Sequence, residues 1–294
     1  MDALVTSPQT PGRLIVVDLP PPEPAPGVAV VRVRASSINR GETRLIPARP
    51  NGRAPGQDLA GIVERPSPDG GPARGTRVVG LADGGSWSEL VAVPVERLAP
   101  LPDTVSDEVA ATLPVAGLTP LRAVRALGEV IGSRVLITGV RGATGNVAAQ
   151  LALAAGAVVT GLARTPFVFD RVRVVTTLAA DDRFDRVIDT AGGDVLAGAL
   201  GHLTPHAKVV TFAGGTPAPI GLGTFAGTPA TLEALFVYGA PGRFDDDLAT
   251  LVGFVVDGRL APHIDRAIPI ADVNDGLAAL EAGGIDGKIV LVRS

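Results

Sequence analysis

The sequence predicts an α/β protein made of a small β domain and a doubly wound, parallel-sheet domain. Two features of the chain support this. Short Val-rich runs separated by Pro and Gly fill residues 1 to about 115, and strand-like runs alternate with helix-like runs from Arg134 onward. The strand-like runs of the second part are apolar throughout, which is typical of parallel strands covered on both faces.

The N-terminal part has the pattern of a small barrel-like β domain. VAVVRVRA at 28–35 alternates apolar and basic residues, as a half-buried strand does. The PPPEPAPG stretch before it excludes a helix or a central strand. Further strand-like runs are LAGIVE, TRVVGLA and WSELVAV. Many short strands divided by turn residues favour a barrel.

The second part begins with a predicted helix, LTPLRAVRALGEV, that ends near Gly128. Predicted strands and helices then alternate in the order RVLITGV, NVAAQLALAAG, AVVTGLA, VRVVTT, RVIDTAG, VLAGALGHL and KVVTFAG. The tail adds a strand near HIDRAIPI, a helix at DVNDGLAALEAG and a final strand, KIVLV.

The composition argues against several classes of function. A net charge of -4 and a pI near 5.4, without any run of Lys or Arg, disfavour a nucleic-acid partner. The chain has no Cys, which excludes disulfides, a thiol nucleophile and thiolate zinc sites. His202 and His206 have no carboxylate cluster beside them, so we expect no metal site.

No secretory leader or membrane span is expected. The most membrane-like stretch, VAAQLALAAGAVVTGLA at 147–163, changes its period at Gly156 and contains Gln150 and Thr160. A buried helix followed by a buried strand explains it better than a span of lipid. We therefore expect a soluble cytoplasmic protein.

The stretch RVLITGVRGATGNVAAQL at 134–151 contains the strongest motif. Gly139, Gly142 and Gly145 follow an apolar strand and open an Ala-rich helix that ends at Gly156. In dinucleotide folds such glycines permit a tight turn, close approach of a pyrophosphate and close helix–strand packing. The alternative is that small residues serve packing only. The strand–loop–helix–strand context favours phosphate binding at the helix N-terminus.

The residue type after the next strand indicates which dinucleotide is bound. NAD sites usually place an acidic residue about 20 positions after the loop to bind the ribose 2′-hydroxyl. Here Arg164 stands 19 residues after Gly145. A guanidinium would pair with a 2′-phosphate, which predicts NADP(H), whereas a merely solvated arginine remains the alternative.

The order of several segments resembles the medium-chain dehydrogenase/reductase superfamily, specifically its zinc-free quinone oxidoreductase and enoyl reductase branch. The resemblance covers nearly the whole chain and includes VRVRASSINRGE, PGQDLAGIV, GGSWSELVAVP, LPVAGLTPLRAV, the glycine loop, KVVTFAGG and GKIVLV. It implies a GroES-like substrate domain at 1–115 and 258–294. It also implies a Rossmann-type NADP(H)-binding domain at 116–257, shortened around 165–185. The active site is expected between the two.

The resemblance also implies a reaction. Zinc-dependent relatives carry a Cys near the stretch that is SSINRGE here, and Gly-His-Glu where this chain has Gly56-Gln57-Asp58. Without those ligands no Lewis acid is expected. The implied activity is NADPH hydride transfer to an enone, enoyl ester or quinone. The Ala/Gly/Arg/Pro bias hints at a high-GC genome, where such reductases often tailor polyketides.

Site residues follow from the motif and the resemblance together. The resemblance places Asn39 near the nicotinamide and substrate, and we add Arg40 and Tyr238 as catalytic candidates. Asn39 satisfying only a local turn is the alternative. The predicted cofactor contacts are Thr119, Gly139, Arg141, Gly142, Ala143, Thr144, Gly145, Asn146, Arg164, Ala213, Gly214 and Gly215. Relatives commonly dimerise through their Rossmann domains, so a homodimer involving LEALFVYG is a further expectation.

The chain departs from the family pattern in two places. The Tyr that often follows the Asn segment is missing, and Tyr238 is the only Tyr in the chain. Between Gly161 and Asp189 there is room for at most one helical turn instead of two helices. We therefore expect weakened but retained cofactor binding. These departures keep two other functions open: a redox-silent cyclase or isomerase, and a nucleotide-binding sensor without turnover.

Overall fold

The computed structural model describes residues 1–7, 9, 13–48, 52, 54–214, 217–221, 225, 228–239 and 242–293. The chain divides into two compact units, which are described separately below. Unit 1 comprises Met1–Leu118, Gly242–Gly258 and Pro262–Ser294, and unit 2 comprises Thr119–Pro241 and Arg259–Ala261.

Unit 1 is a mixed β structure with short helices. Its strands are β1 Asp2–Thr6, β2 Leu14–Asp18, β3 Val28–Ile38, β4 Asp58–Arg65, β5 Arg77–Leu81, β6 Leu90–Pro94 and β7 Leu98–Pro100, with β14 Ile264–Pro269 and β15 Lys288–Val292 from the tail. Its helices are α1 Arg40–Ala48, α2 Asp107–Ala110, the start of α3 Pro114–Leu127, α6 Phe244–Val256 and α7 Val273–Ala282.

The main sheet of unit 1 runs in the order β14-β15-β3-β4-β5-β7, and β6 also pairs with β3. β3 is the long central strand: it pairs antiparallel with β4, β6 and β15. Val31, Val33, Leu59, Val63 and Val78 pack in one buried cluster on this sheet. This arrangement brings the end of β3, the start of β4 and the start of β15 together.

Unit 2 is a parallel sheet of six strands among the described residues, in the order β10-β9-β8-β11-β12-β13. The strands are β8 Arg134–Thr138, β9 Val158–Leu162, β10 Arg173–Val175, β11 Phe184–Asp189, β12 Leu203–Thr211 and β13 Ala230–Ala234. The helices are the rest of α3, α4 Ala143–Ala154 and α5 Gly193–Leu200. The order reverses between β8 and β11, as in doubly wound dinucleotide-binding sheets, which confirms the predicted fold class.

Helix α6 shows how the two compact units relate to the predicted domains. The prediction assigned 116–257 to the second domain, whereas α6 belongs to unit 1. Helix α6 packs against β5 and β7, and its Leu251 lies against Gly117. The sequence pattern of α6 is that of an ordinary amphipathic helix, so only its packing partner decides its domain.

The segment from β9 to β11 contains no helix. Residues 163–172 connect β9 to β10, and residues 176–183 connect β10 to β11, as turns and extended chain. Phe167, Phe169 and Val174 pack against the core cluster of unit 2. Two aromatic rings therefore cover apolar surface on a connection that is too short for a helical crossover.

Candidate functional site

The glycine loop between β8 and α4 is a tight turn made possible by small residues. Gly139 has φ of +63°, a backbone conformation that L side chains rarely adopt. A Cβ on Gly145 would meet the Gly139 carbonyl oxygen, and would lie 2.8 Å from the Gly139 carbonyl carbon and 2.9 Å from Val140 Cα. By contrast, a Cβ on Gly142 would meet only the Gly139 carbonyl oxygen, at 3.5 Å. Gly139 and Gly145 are thus required by the fold of the loop, whereas Gly142 is not.

The N-terminus of α4 offers backbone donors. Gly142 is the N-cap and supplies no side-chain hydrogen bond to the first turn. The first amides of a helix have no acceptor within the helix, and they carry partial positive charge. Ala143, Thr144 and Gly145 occupy this first turn, and Asn146 follows, donating its backbone N–H to Gly142 O at 2.8 Å. Such an end of a helix fits a phosphate.

Two arginines lie at the carboxyl end of β9. Arg141, from the glycine loop, donates from Nη1 to Thr165 Oγ1 at 2.5 Å, and its guanidinium lies 5.2 Å from the Phe167 ring centroid. Arg164 precedes Thr165, is exposed, and has no ion-pair partner among the described residues. No Asp or Glu stands at residues 158–169, and Asp170 follows directly.

A buried carboxylate joins the ends of three strands of unit 2. Asp189 ends β11 and is fully buried. Its Oδ1 accepts from Thr138 Oγ1 at 2.6 Å and its Oδ2 accepts from Thr211 Oγ1 at 2.7 Å. The backbone N–H groups of Ala191 and Gly192 also donate to this carboxylate, at 3.1–3.2 Å. Asp189 therefore anchors β8, β11, β12 and the start of α5.

The remaining predicted cofactor residues of unit 2 have different surroundings. Thr119 is buried in α3. Ala213 donates its backbone N–H to Thr211 Oγ1 at 3.4 Å, in the chain that leaves β12. Gly214 follows, and a Cβ there would meet no atom within 4 Å. Gly215 lies outside the described residues.

Unit 1 contains a second buried polar cluster, around Asp58. This carboxylate, the first residue of β4, is fully buried. It accepts from Ser37 Oγ at 2.6 Å and from the backbone N–H of Val115 at 2.9 Å, and it pairs with Lys288 Nζ at 3.2 Å. The Val115 bond places a negative charge at the start of α3, where a helix favours it.

Asn39 belongs to this cluster. Its Nδ2 donates to Asp58 Oδ2 at 2.9 Å, and its Oδ1 accepts from Lys288 Nζ. The side chain is held between an anion and a cation, and the residue is 8% exposed. These bonds fit the alternative in which Asn39 serves the fold, and they also fix the direction of its amide.

Arg40 and Tyr238 have separate surroundings. Arg40 is exposed at the start of α1, and its Nη1 donates to the carbonyl of Leu280 at 3.4 Å. Tyr238 is half-buried in unit 2, and its ring lies 5.4 Å from that of Phe236, centroid to centroid.

Sequence reasoning missed Lys288 and the two threonines that bind Asp189. Lys288 is the first residue of the apolar run KIVLV. A single lysine at the start of a buried strand could have indicated a buried polar partner. Thr138 and Thr211 each end an apolar strand, as Asp189 does. Carboxyl ends of parallel strands meet at one edge, so three polar residues in that position indicate a shared cluster.

Comparisons with known proteins give a consistent family. A family model described as zinc-binding dehydrogenase matches residues 155–291. Quinone oxidoreductase-like protein 2 of Bos taurus is 29% identical over 273 residues, covering 81% of this chain and 75% of that protein. Acrylyl-CoA reductase AcuI of Ruegeria pomeroyi is 30% identical over 284 residues, covering 86% and 78%. The crystal structure of an alcohol dehydrogenase superfamily protein from Novosphingobium aromaticivorans has a TM-score of 0.90 and 26% identity, with both chains covered fully.

The residues present do not fit a zinc ion. The chain has no Cys, and within the described ranges no group of three or more His, Cys, Asp or Glu side chains could hold a metal. No step of a reaction is therefore assigned to zinc. In the same described ranges no helix combines the length and the apolar character needed to cross a bilayer.

Proposed function

The chain belongs to the medium-chain dehydrogenase/reductase superfamily and is an oxidoreductase of that superfamily, and from this premise we propose that it transfers a hydride from NADPH to an α,β-unsaturated carbonyl compound or a quinone. The observation that carries the proposal is the loop from Gly139 to Gly145, followed by the first backbone amides of α4, which have no acceptor within the helix. Quinone oxidoreductase-like and acrylyl-CoA reductase proteins among its relatives support the same class of acceptor.

The fit of a dinucleotide is supported by the shape of this loop. Because Gly145 has no Cβ to clash with the Gly139 carbonyl, α4 can begin close to the end of β8, with its first amides beside the strand end. This is the arrangement that receives a pyrophosphate in dinucleotide folds. Gly142 keeps the loop free of a side chain where the phosphates would approach.

The preference for NADPH is proposed from charge. Arg164 offers a free guanidinium after β9, and Arg141 lies beside the next residue, Thr165. Two guanidinium groups at this strand end favour a 2′-phosphate over a 2′-hydroxyl. Phe167, against which Arg141 packs, offers a flat apolar surface for the adenine.

When bound, the reduced nicotinamide supplies a hydride to the β-carbon of the acceptor. With an enone or enoyl acceptor, negative charge would then develop on the carbonyl oxygen and the α-carbon would take a proton from water; with a quinone, the proton would end on oxygen to give the hydroquinone. We assign Asn39 to the carbonyl oxygen, because its Nδ2 keeps a second N–H besides the one donated to Asp58. A preorganised donor of this kind contributes about 2.7–4 kcal/mol in other enzymes. Arg40 and Tyr238 remain catalytic candidates on the same proposal.

A cofactor titration followed by an acceptor panel tests the proposal. We expect NADPH to bind more tightly than NADH, and NADPH absorbance to fall in the presence of an enone, an enoyl thioester or a quinone. Arg164→Ala should reduce the preference for NADPH by about 10-fold or more, because one charge-assisted hydrogen bond is lost. Arg74→Ala, which removes an exposed arginine of unit 1, is the matched control. Equal affinity of the wild type for both cofactors would reject the NADPH assignment.

The connection from β9 to β11 favours a second candidate. Its lack of helices leaves less protein around the adenine end, so a redox-silent cyclase or isomerase on this scaffold is the alternative. Product formation that does not depend on NADPH would support that candidate. Binding of NADPH without turnover on any acceptor would instead support a nucleotide sensor.

A further inference from the structure

Asp189 has no role in the proposed hydride transfer, yet it is fully buried and accepts hydrogen bonds from two side chains and two backbone amides. A buried carboxylate is costly unless its oxygens are satisfied. This one is satisfied by hydroxyl donors from two strand ends and by two backbone amides that follow β11. The question is what the arrangement achieves, since an apolar contact would fill the same space.

One branch of the network leads to the glycine loop. Thr138 donates its hydroxyl proton to Asp189 Oδ1, so its lone pairs are free to accept the backbone N–H of Thr190, at 3.0 Å. Thr190 in turn donates from Oγ1 to the carbonyl of Thr138 at 2.8 Å. The Thr190 hydroxyl lies where a side chain on Gly139 would stand. Asp189 thus fixes the first turn of the glycine loop through two threonines.

The other branch leads to the chain after β12. Thr211 donates its hydroxyl proton to Asp189 Oδ2 and accepts the backbone N–H of Ala213 at 3.4 Å. The backbone N–H of Phe212 donates to the carbonyl of Asp189 at 3.3 Å. Ala213 and Gly214 are among the predicted cofactor contacts, and the family resemblance implies that they would contact the nicotinamide end. The same acidic residue therefore holds the two segments that would receive opposite halves of the cofactor.

We propose that Asp189 is a positioning residue that sets both halves of the dinucleotide site, through Thr138 for the diphosphate half and through Thr211 for the nicotinamide half. The inference rests on the proposed function. A carboxylate only accepts, so both hydroxyl protons must point at it and both sets of lone pairs must face the backbone. The amide of an asparagine at this position would donate an N–H to one of the threonines. That hydroxyl would then accept a hydrogen bond where it now donates one. Sites held in this way lose affinity when a supporting bond is removed.

Binding of NADPH and of 2′,5′-ADP, which lacks the nicotinamide half, separates the two branches. Calorimetry with Thr138→Val should show affinity lowered about 10-fold for both ligands, as expected for the loss of one buried hydrogen bond. Thr211→Val should lower affinity for NADPH by a similar factor and leave 2′,5′-ADP unchanged. Asp189→Asn should lower the affinity for both ligands. Thr138→Ser and Thr211→Ser keep the hydroxyl and should restore wild-type binding.

Thr204→Val is the matched control. Thr204 also lies on β12, but at its other end, where its hydroxyl bonds to Phe184 O and Asp185 Oδ1. Its loss should lower the melting temperature without changing either affinity. The inference is overturned if Thr211→Val lowers the affinity for 2′,5′-ADP as much as that for NADPH, if both valine variants leave both affinities unchanged, or if Thr204→Val mimics them. Failure of the wild type to bind either ligand would overturn the proposed function itself. If Asp189→Asn does not fold, the threonine variants decide.

Discussion

Lys288 shows how much one residue depends on its surroundings. The chain has only two lysines, Lys208 and Lys288, among 26 basic residues. Lys208 makes a partly exposed ion pair with Glu233 at 2.9 Å. Lys288 is 3% exposed and contacts Asp58 Oδ2 and Asn39 Oδ1. A compact ammonium with three donors suits a site where two different oxygens must be reached.

Replacing each lysine by methionine compares a buried with an exposed ion pair. Lys288→Met leaves the Asp58 carboxylate buried without its cation, so we expect a loss of about 3–5 kcal/mol in the free energy of unfolding. Lys208→Met should change it by about 0–1 kcal/mol. Urea denaturation of both variants measures the difference. Equal losses would mean that the Asp58 cluster contributes no more than a surface pair.

A second single-residue prediction concerns acid stability. Arg134 donates to Asp185 from Nε at 3.2 Å, from Nη2 at 3.1 Å and from its backbone N–H at 2.9 Å, and these bonds lower the pKa of Asp185 to about 2. A lowered carboxyl pKa stabilises the fold above the ordinary value and loses that contribution as the pH falls through about 2. With the pair partly exposed, we expect at most about 2 kcal/mol.

The measurement is the unfolding free energy of the wild type and of Asp185→Asn from neutral pH downward. The difference between them should be constant near neutral pH and should shrink toward zero as the pH approaches about 2. Arg134→Met should give the same pH dependence, because it removes the same pair. A difference that persists at the lowest pH would assign the effect to packing instead of charge.

At the scale of elements, the β8–α4 turn depends on glycines for two separate reasons. Gly145 is needed because its Cβ would meet backbone atoms of Gly139 and Val140. Gly142 has an ordinary φ of -74° and no close neighbour, so the fold itself tolerates a side chain there. We therefore propose that the lack of a side chain at Gly142 serves the approach of a ligand. Stability and binding are therefore separable within one loop.

Three alanine variants test this separation. Gly145→Ala should lower both the melting temperature and the affinity for NADPH, because backbone must move to accept the Cβ. Gly142→Ala should leave the melting temperature unchanged and lower the affinity for NADPH. Gly198→Ala, in an exposed position of α5 with no atom within 4 Å, should stabilise by about 0.5–1 kcal/mol. Unchanged NADPH affinity in Gly142→Ala would contradict the proposal that this loop binds the phosphates.

The connection from β9 to β10 is the element for which the sequence predicts the largest departure from the family pattern. Pro166 disfavours a continuous helix, and Arg171 has φ of +59°. Phe167 and Phe169 lie 6.1 Å apart, centroid to centroid, and pack against the unit 2 core. The apolar covering that a helix would provide comes here from two rings.

At the scale of the whole molecule, β13 is an edge of the unit 2 sheet among the described residues, where it pairs with β12 alone. Leu232 on this strand is 36% exposed. Exposed edges are available for pairing with another chain. We therefore propose a homodimer that joins the β13 strands of two copies.

Light scattering across a dilution series tests the dimer. The wild type should dissociate on dilution. Leu232→Arg should shift the equilibrium toward monomer, because the two introduced arginines would repel each other across the β13–β13 interface. Val256→Arg places the same charge on α6, where the side chain is 52% exposed, and should leave the association unchanged. A wild type that is monomeric at every concentration contradicts the proposal.

The sequence by itself determined the fold class, the order of strands and helices in unit 2, and the position of the glycine loop. It could do so because buried parallel strands are apolar throughout, and because a positive φ and close approaches restrict Gly139 and Gly145 to glycine. These signals are local, since each is contained within a few neighbouring residues.

Only the tertiary structure decided what surrounds the polar residues. Asp58, Asn39 and Lys288 are separated by up to 249 positions, yet they share one buried cluster. Asp189 meets Thr138 and Thr211 only because parallel strands end at one edge. The partner of a buried polar group is set by strand order and register, and a single sequence does not encode those distances locally. The same reason explains why packing, and not its sequence pattern, places α6 in unit 1.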